Sequence, residues 1–256
     1  MKSSPSKKIP PYVFQLKSLN KLSLNHSQMA QIPKEIGKLK NLKYLYLRSN
    51  RISEIPQEIG QLQQLICLEL SSNRISKIPK EMSQLRNLKE LELSSNQFTE
   101  FPKEIMEFSK LTHLNLSYNN INTIPKEINL LKNLVVLKLS RNNISKIPKE
   151  IGELSRLSLL CFTNNEILEI PLEISKLLNL TQLTLNKNQI RKIPNEIVLP
   201  KLWYLRLDNN NISKISIHQF SQFTHLQKLE LSHNNFTHFQ IKEISKSMPK
   251  CDILFR

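Results

Sequence analysis

Residues 42–62 read LKYLYLRSNRISEIPQEIGQL, and closely similar text begins again at Leu65, Leu88, Leu111 and Leu134. The pattern they share is LxxLxLxxNxIxxIPxEIxxLxx. Successive units start 23 residues apart over most of the chain, and gaps of 22 and 24 residues precede the last two. Spacing as regular as this indicates an array of repeated structural units, each of which buries its apolar side against the next.

Each fixed letter of the repeat has a physical reason. Leu45 and Leu47 are separated by one residue, which predicts a short strand with both leucines pointing inward. Asn50 ends this strand, and its amide can both donate to and accept from the backbone groups freed at the turn. In stacked repeats these amides should form a ladder. Pro56 suits the first position of a helical turn, where its missing N–H costs nothing.

The pattern resembles that of the leucine-rich repeat family, and the resemblance covers about Ile9 to Phe239. Its IPxEI form is similar to the 23-residue arrays of bacterial proteins, spirochaete ones particularly, and of intracellular eukaryotic scaffolds of the Ras-suppressor type. The resemblance implies an α/β fold. It would be a right-handed solenoid or horseshoe, with a concave parallel β-sheet and short helical or 3-10 turns on the convex side.

The ends of the chain depart from the repeat pattern. Residues 1–18 fit the second half of a unit and are expected to form an N-terminal cap. Residues 19–240 hold ten leucine-rich repeats. Residues 241–256 are expected to form a C-terminal cap, with a helix from about Ile241, a stop at Pro249 and a final strand.

The variable letters point to a binding surface. Side chains two, four, six and seven residues after the first leucine of each unit should face the concave side, and variation is greatest at the first two of these places. Tyrosine and arginine are common binding anchors, and exposed apolar side chains on a strand favour an apolar partner. Undirected variation on a solvated sheet is the alternative. The predicted partner-binding residues are Tyr44, Tyr46, Arg48, Glu69, Glu90, Glu92, His113, Tyr118, Val136, Lys138, Arg141, Leu159, Tyr204 and Arg206.

The formal net charge of +16 raises the question of nucleic acid. Only a small part of that surplus falls on the predicted concave positions and on the residue directly after each first leucine, where nine basic residues accompany five acidic ones. Much of the rest belongs to the edges and the outer segments, notably to five lysines that are each followed by glutamate: Lys34, Lys80, Lys103, Lys126 and Lys149. A nucleic-acid groove needs a continuous basic stripe with stacking aromatics, so the sequence disfavours one.

The sequence carries no pattern of catalytic chemistry. Its 3 glycines stand in separate repeats and cannot form a phosphate-binding loop. The late histidines occupy different repeat positions and should not converge on a metal; they are His218, His225, His233 and His238. The three cysteines are expected to be free thiols, since Cys67 and Cys161 lie four strand spacings apart. We therefore expect neither an enzyme nor a cofactor.

The sequence thus predicts a non-enzymatic protein–protein interaction module whose concave face binds a protein, either as a monomer or with weak self-association. One hypothesis is a bacterial host-interaction protein with a role in virulence. The alternatives are a cytosolic Ras-suppressor-like scaffold that binds a small GTPase or kinase, and the recognition part of a larger enzyme. No apolar run is long enough to span a membrane, and the opening residues lack an export signal. Secretion to a bacterial surface and a cytoplasmic location both stay open.

Overall fold

A computed structural model describes residues 8–216 and 223–255 of the chain. The chain forms two compact units, residues 1–120 and 121–256. The strands of the first unit are β1 (Lys21–Ser23), β2 (Tyr44–Tyr46), β3 (Cys67–Glu69), β4 (Glu90–Glu92) and β5 (His113–Asn115). Its 3-10 helices are η1 (Pro11–Gln15), η2 (Lys34–Lys38), η3 (Gln57–Gln61), η4 (Lys80–Gln84) and η5 (Lys103–Glu107).

The second unit repeats this alternation. Its strands are β6 (Val136–Lys138), β7 (Leu159–Cys161), β8 (Gln182–Thr184), β9 (Tyr204–Arg206), β10 (Lys228–Glu230) and β11 (Asp252–Leu254). Its 3-10 helices are η6 (Lys126–Leu130), η7 (Lys149–Glu153) and η8 (Leu172–Lys176). An α-helix, α1 (His238–Ser247), precedes β11. Strand, turn and short outer helix thus alternate as the repeat predicts, in the arrangement of a leucine-rich repeat solenoid.

Neighbouring strands within each unit pair in parallel and in register. Leu45 lies opposite Leu68, and Leu68 lies opposite Leu91. The register survives the irregular spacing late in the chain, because Leu205 still lies opposite both Leu183 and Leu229. The one-residue difference is therefore taken up outside the strands.

The core consists of the repeated leucines and isoleucines. Leu45, Leu47, Ile52, Ile59 and Leu62 each have 0% of their surface exposed. Burial of an aliphatic side chain of this size contributes about 1.5–3 kcal/mol, so the core is the main source of stability. The prediction that both leucines of the LxL strand point inward is confirmed.

The asparagine ladder is also confirmed. The side-chain nitrogen of Asn73 donates to the carbonyl of Leu70 in its own repeat (2.9 Å) and to that of Leu47 in the preceding repeat (3.0 Å). Its side-chain oxygen accepts the backbone N–H of Ile52 at 3.0 Å. Each asparagine of this kind therefore bonds two repeats together with a buried amide.

The proline of the IP pair lies one residue earlier than predicted. Pro56 is extended (φ −69°, ψ 147°) and directly precedes η3 instead of occupying its first position. Its carbonyl accepts the backbone N–H of Ile59 at 3.0 Å and so starts the 3-10 helix. The fixed φ of proline suits this place as well, because extended backbone also uses φ near −65°.

One glycine permits a close approach between neighbouring 3-10 helices. A Cβ atom placed on Gly60 would lie 2.2 Å from the carbonyl oxygen of Glu81 in the next repeat. A contact that short is impossible, so η3 and η4 can pack at this distance only without a side chain at Gly60.

The C-terminal helix begins earlier than the predicted Ile241. Thr237 and Gln240 form a capping box, in which the Thr237 hydroxyl accepts the N–H of Gln240 (3.3 Å) and the Gln240 side chain accepts the N–H of Thr237 (2.8 Å). The predicted final strand is present as β11, which pairs in parallel with β10. In the part of the chain that the structure describes, no helix combines the length and apolar character needed to cross a membrane.

Candidate partner-binding surface

The variable strand positions leave the core, as the sequence predicts. In β2, Tyr44 and Tyr46 are half-buried on either side of the fully buried Leu45. The same alternation recurs in β6 and β9, where a half-buried residue stands on each side of a buried leucine. These three strands therefore each present two side chains on the sheet face opposite the core.

Strand register places these side chains in two rows on the first unit. Tyr46, Glu69 and Glu92 follow one another across three strands. In the parallel row, Tyr44, Cys67, Glu90 and His113 do the same. The tyrosines of β2 thus stand at one end of two rows that continue across β3 into glutamates of β3 and β4.

Contacts within the chain hold two members of the first of these rows, Tyr46 and Glu69, in place. The Lys21 ammonium lies over the Tyr46 ring, 5.3 Å from its centroid. The Glu69 carboxylate accepts the Ser71 N–H at 2.9 Å and also bonds the Ser71 hydroxyl. Burial raises the pKa of Tyr46, and Cys67 adds to this effect, so the tyrosine is a neutral hydrogen-bonding group at physiological pH.

Cys67 differs from its row because it is only 6% exposed. Burial raises the pKa of its thiol to about 12, and the negative charge of Glu90 acts in the same direction. A thiol with such a pKa is protonated at neutral pH and is a poor nucleophile. Cys67 is therefore a packing residue between the tyrosines and the carboxylates.

The second unit presents a more apolar surface beside a cation. Val136 lies opposite Leu159, and Lys138 lies opposite Cys161. All four side chains are half-buried. Burial raises the pKa of Cys161, although a hydrogen bond with Thr184 and the charge of Lys138 act against the shift.

Tyr204 and Arg206 belong to a charge network that the sequence does not reveal. The Tyr204 hydroxyl donates to Glu230 at 2.8 Å. The Arg206 guanidinium contacts both Glu230 (2.8 Å) and Asp208 (2.7 Å), and Lys228 contacts Glu230 at 3.1 Å. Lys228 also lies over the Tyr204 ring, 5.4 Å from its centroid. These two predicted anchors are therefore held in place by their own chain.

The network also changes the acid–base properties of its members. Burial and the hydrogen bond to Glu230 raise the pKa of Tyr204 to about 12. Burial alone would lower the pKa of Arg206, but the hydrogen bond to Asp208 and the charges of Asp208 and Glu230 raise it. A spacing of about one repeat between these residues is the only sequence signal that they could meet.

The other predicted residues lie at the ends of the strands or beside them. Arg48 and His113 are exposed, and His113 contacts the Thr112 hydroxyl at 2.9 Å. Tyr118 and Arg141 directly precede the ladder asparagines and adopt the left-handed conformation, with φ values of 59° and 55°. Tyr118 is 52% exposed despite its size. The left-handed turn therefore directs a large aromatic side chain away from the core.

Within residues 8–216 and 223–255, no cluster of three or more histidine, cysteine or acidic residues could hold a metal ion. Of the four late histidines, His218 lies outside the described residues. The three cysteines are free.

Comparison with known families gives two matches. A model described as "Leucine-rich repeat region" matches residues 7–114. A model described as "Leucine rich repeat" matches residues 86–144, 109–167 and 200–245. Together these matches cover well over half of the chain. A comparison with curated proteins found no match.

Several solved structures are similar to the chain. The ectodomain of the Arabidopsis thaliana receptor kinase GASSHO1/SCHENGEN3, solved in complex with CASPARIAN STRIP INTEGRITY FACTOR 2, is 34% identical; the match covers 90% of this chain and 29% of that one, with a TM-score of 0.81. The Arabidopsis receptor kinase HAESA, in complex with the peptide hormone IDA and the co-receptor SERK1, is 30% identical over 86% of this chain and 39% of that one (TM-score 0.76). A leucine-rich repeat protein of Leptospira interrogans is 30% identical over 96% of this chain and 86% of that one (TM-score 0.45). The chain spans less than half the length of these two plant receptors.

Proposed function

The chain belongs to the leucine-rich repeat family, and from this premise we propose that it is a non-enzymatic module that binds a protein or peptide. The partner contacts the sheet face through the half-buried strand side chains. The binding residues are those predicted above, with Tyr44 and Tyr46 as anchors in the first unit and Val136 and Leu159 as the apolar contacts of the second.

One observation carries this proposal: each strand has a constant, buried leucine and variable residues on either side of it. Leu45, Leu68 and Leu91 are identical and fully buried. The residues that flank these leucines within each strand vary from tyrosine to glutamate and, apart from the buried Cys67, stay at least partly exposed. A scaffold that keeps its interior constant and its sheet face variable can change its ligand without changing its fold.

The structural comparisons support the same class of function. The similar plant receptor ectodomains were solved with a peptide hormone or an integrity factor bound. The raised pKa values of Cys67 and Cys161 make both sheet-face thiols weak nucleophiles, which favours binding over covalent catalysis.

A selection experiment tests the proposal and does not require the natural partner. A displayed library of random peptides would be selected against the folded array, and the affinities of the enriched peptides would be measured. We expect Tyr44→Ala combined with Tyr46→Ala to weaken peptides bound at the first unit by about tenfold or more, since each tyrosine is an interface anchor. Tyr12→Ala is the matched control, because Tyr12 is 65% exposed in η1, outside the strands.

The design has a clear negative outcome. The proposal is wrong if no peptide is enriched. It is also wrong if every enriched peptide tolerates substitutions on the sheet face of the first unit and on that of the second. Circular dichroism melting curves of each variant would show that the array is still folded.

The finer hypotheses differ only in the identity of the partner. A bacterial host-interaction protein would bind a host surface or matrix protein, whereas a Ras-suppressor-like scaffold would bind a small GTPase or a kinase. Purified panels of both classes, measured with the wild type and with the Tyr44→Ala, Tyr46→Ala variant, separate the two hypotheses. As part of a larger enzyme, the chain would supply recognition through this same face.

A further inference from the structure

We infer that the sheet face of the first unit binds an extended partner segment that carries lysine or arginine side chains. The contact would be made by Tyr44, Tyr46, Glu69, Glu90 and Glu92, which we call the tyrosine–glutamate strip. This inference rests on the proposed function and specifies the chemistry of the partner at one part of the face.

The second unit shows what complements such a strip. There, Tyr204 and Glu230 stand on neighbouring strands, and the chain supplies its own cations between them. The Lys228 ammonium lies 5.4 Å from the centroid of the Tyr204 ring and 3.1 Å from a carboxylate oxygen of Glu230. The Arg206 guanidinium contacts the other carboxylate oxygen at 2.8 Å. In the second unit, the tyrosine and the carboxylate thus both contact cations of their own chain.

The first unit has the tyrosines and the carboxylates, but its sheet-face cation Lys21 lies over the Tyr46 ring on the β1 side and forms no ion pair with Glu69 or Glu90. In the second unit, Lys228 lies opposite Tyr204 on the next strand. In the first unit, the residue opposite Tyr44 on the next strand is Cys67. Likewise, Arg206 lies opposite Glu230 in the second unit, whereas the residue opposite Glu69 in the first unit is Tyr46. The places that hold positive charge in the second unit are therefore filled by uncharged side chains in the first.

The carboxylates of Glu69 and Glu90 are the acidic groups of the strip that a partner's cation would meet. Neither Glu69 nor Glu90 forms an ion pair with any residue in the described part of the chain, although Lys43 and Lys89 directly precede β2 and β4. Glu69 is fixed instead by the backbone N–H and the hydroxyl of Ser71. The strip therefore gathers acidic side chains on a chain whose net charge is +16.

The tyrosines of the strip already attract a cation from their own chain. Lys21 in β1 lies over the Tyr46 ring, 5.3 Å from its centroid. A cation over an aromatic face gains about 0.5–1 kcal/mol at exposed sites and more when water is excluded. A cationic side chain of the partner would use the same attraction from the β3 side, where Glu69 adds a carboxylate.

Sheet geometry sets the spacing of the partner's cations. Neighbouring strands lie about 4.8 Å apart, and residues two apart in an extended chain are separated by about 6.6 Å and point to the same side. A segment that crosses β2, β3 and β4 can therefore place one cation against Glu69 and a second against Glu90 and Glu92. Two basic residues separated by one other residue form the simplest pattern that fits.

The probe is a short synthetic peptide with two arginines separated by one threonine, and its binding would be measured by fluorescence anisotropy. A peptide with glutamates in place of the arginines is the control ligand. We expect the arginine peptide to bind the wild type at least about tenfold more tightly than the glutamate peptide, and added salt to weaken it. The triple substitution Glu69→Gln, Glu90→Gln, Glu92→Gln should remove this preference.

A second triple variant controls for net charge. Glu54→Gln, Glu100→Gln and Glu107→Gln change the charge by the same amount at exposed sites in the same unit but outside the strands. This variant should keep the preference for arginine. Equal loss in both variants would show general charge attraction and overturn the inference, and so would tight binding by the strip variant.

The outcomes also separate this inference from the proposed function. Peptides selected from a random library that depend on Tyr44 and Tyr46 but carry no basic residues would refute the cationic partner and leave the binding function standing. Failure to select any peptide that depends on the sheet face would refute both.

Discussion

Asn119 donates its side-chain amide to the carbonyl oxygen of Leu93, which lies 26 residues earlier, at 3.1 Å. Its amide also donates to Leu116 at 3.0 Å, and its oxygen accepts the N–H of Phe98 at 3.1 Å. One 7%-exposed side chain thus satisfies backbone groups of two repeats. Hydrogen bonds of this kind link each repeat to the one before it. Removal of the Asn119 amide is therefore the most direct test of how the repeats are held together.

Asn119→Ala should lower the free energy of unfolding by about 2–4 kcal/mol, because it leaves buried backbone groups without partners. Urea denaturation measures this quantity. Asn120→Ala is the control, because the neighbouring asparagine is exposed; its effect should stay within about 0.5 kcal/mol. Similar losses from both substitutions would contradict the ladder as a source of stability.

Gly60→Ala tests the close packing of η3 against η4. A methyl group usually stabilises a compatible site by lowering the entropy of the unfolded chain. Here the added Cβ would lie 2.2 Å from the Glu81 carbonyl oxygen, so we expect a loss of about 1–3 kcal/mol from overpacking. Ser83→Ala, at the equivalent place in η4, should change stability little because that site already has a Cβ. An increase in stability on Gly60→Ala would show that the helices separate easily.

Glu230→Gln tests the charge network of the second unit. The Glu230 side chain is 11% exposed and contacts both Arg206 and Lys228. Loss of its charge leaves Lys228 without this carboxylate and Arg206 with Asp208 alone, so the free energy of unfolding should fall by about 1–3 kcal/mol. Glu153→Gln removes the equally short but exposed pair with Lys132 and should have no measurable effect. Equal effects in thermal denaturation would mean that burial does not strengthen the network.

Tyr204 should make stability depend on pH in the alkaline range. Its pKa is raised from 10.0 to about 12 in the folded protein, so the folded state holds this proton more tightly than the unfolded chain does. The contribution is complete below pH 10 and is lost as pH rises toward 12. The stability advantage of the wild type over Tyr204→Phe should therefore shrink over this range. Tyr12→Phe controls for general alkaline effects, and a constant difference between wild type and Tyr204→Phe would contradict the prediction.

The repeat and the parallel register are predictable from the sequence because both follow from local alternation. Leu45 and Leu47 must face the same side, and a repeat of constant length then places Leu45 beside Leu68. The place of Pro56 is harder to predict. A proline is equally compatible with the first helical position and with the extended residue before it, and only backbone hydrogen bonding distinguishes them.

The contacts within the candidate surface are less predictable. Arg206 and Glu230 are 24 residues apart, and their pairing depends on how the 24-residue unit that begins at Leu202 absorbs its extra residue. The burial of Cys67 depends on the size of the side chains around it, since Tyr44 and Glu90, its neighbours in the same row, are half-buried and exposed. The rows on the face can therefore be predicted from spacing, whereas the state of each side chain depends on its neighbours across the strands.

Because a ladder asparagine such as Asn119 bonds its own turn and the one before it, a gene could gain or lose a whole unit by unequal recombination without disturbing the remaining joints. Such an event would move Tyr46 and Glu69 apart, or bring a new pair together, in a single step. The hydrogen bonds that join neighbouring repeats thus also allow the exposed rows to change in evolution by the gain or loss of one whole repeat.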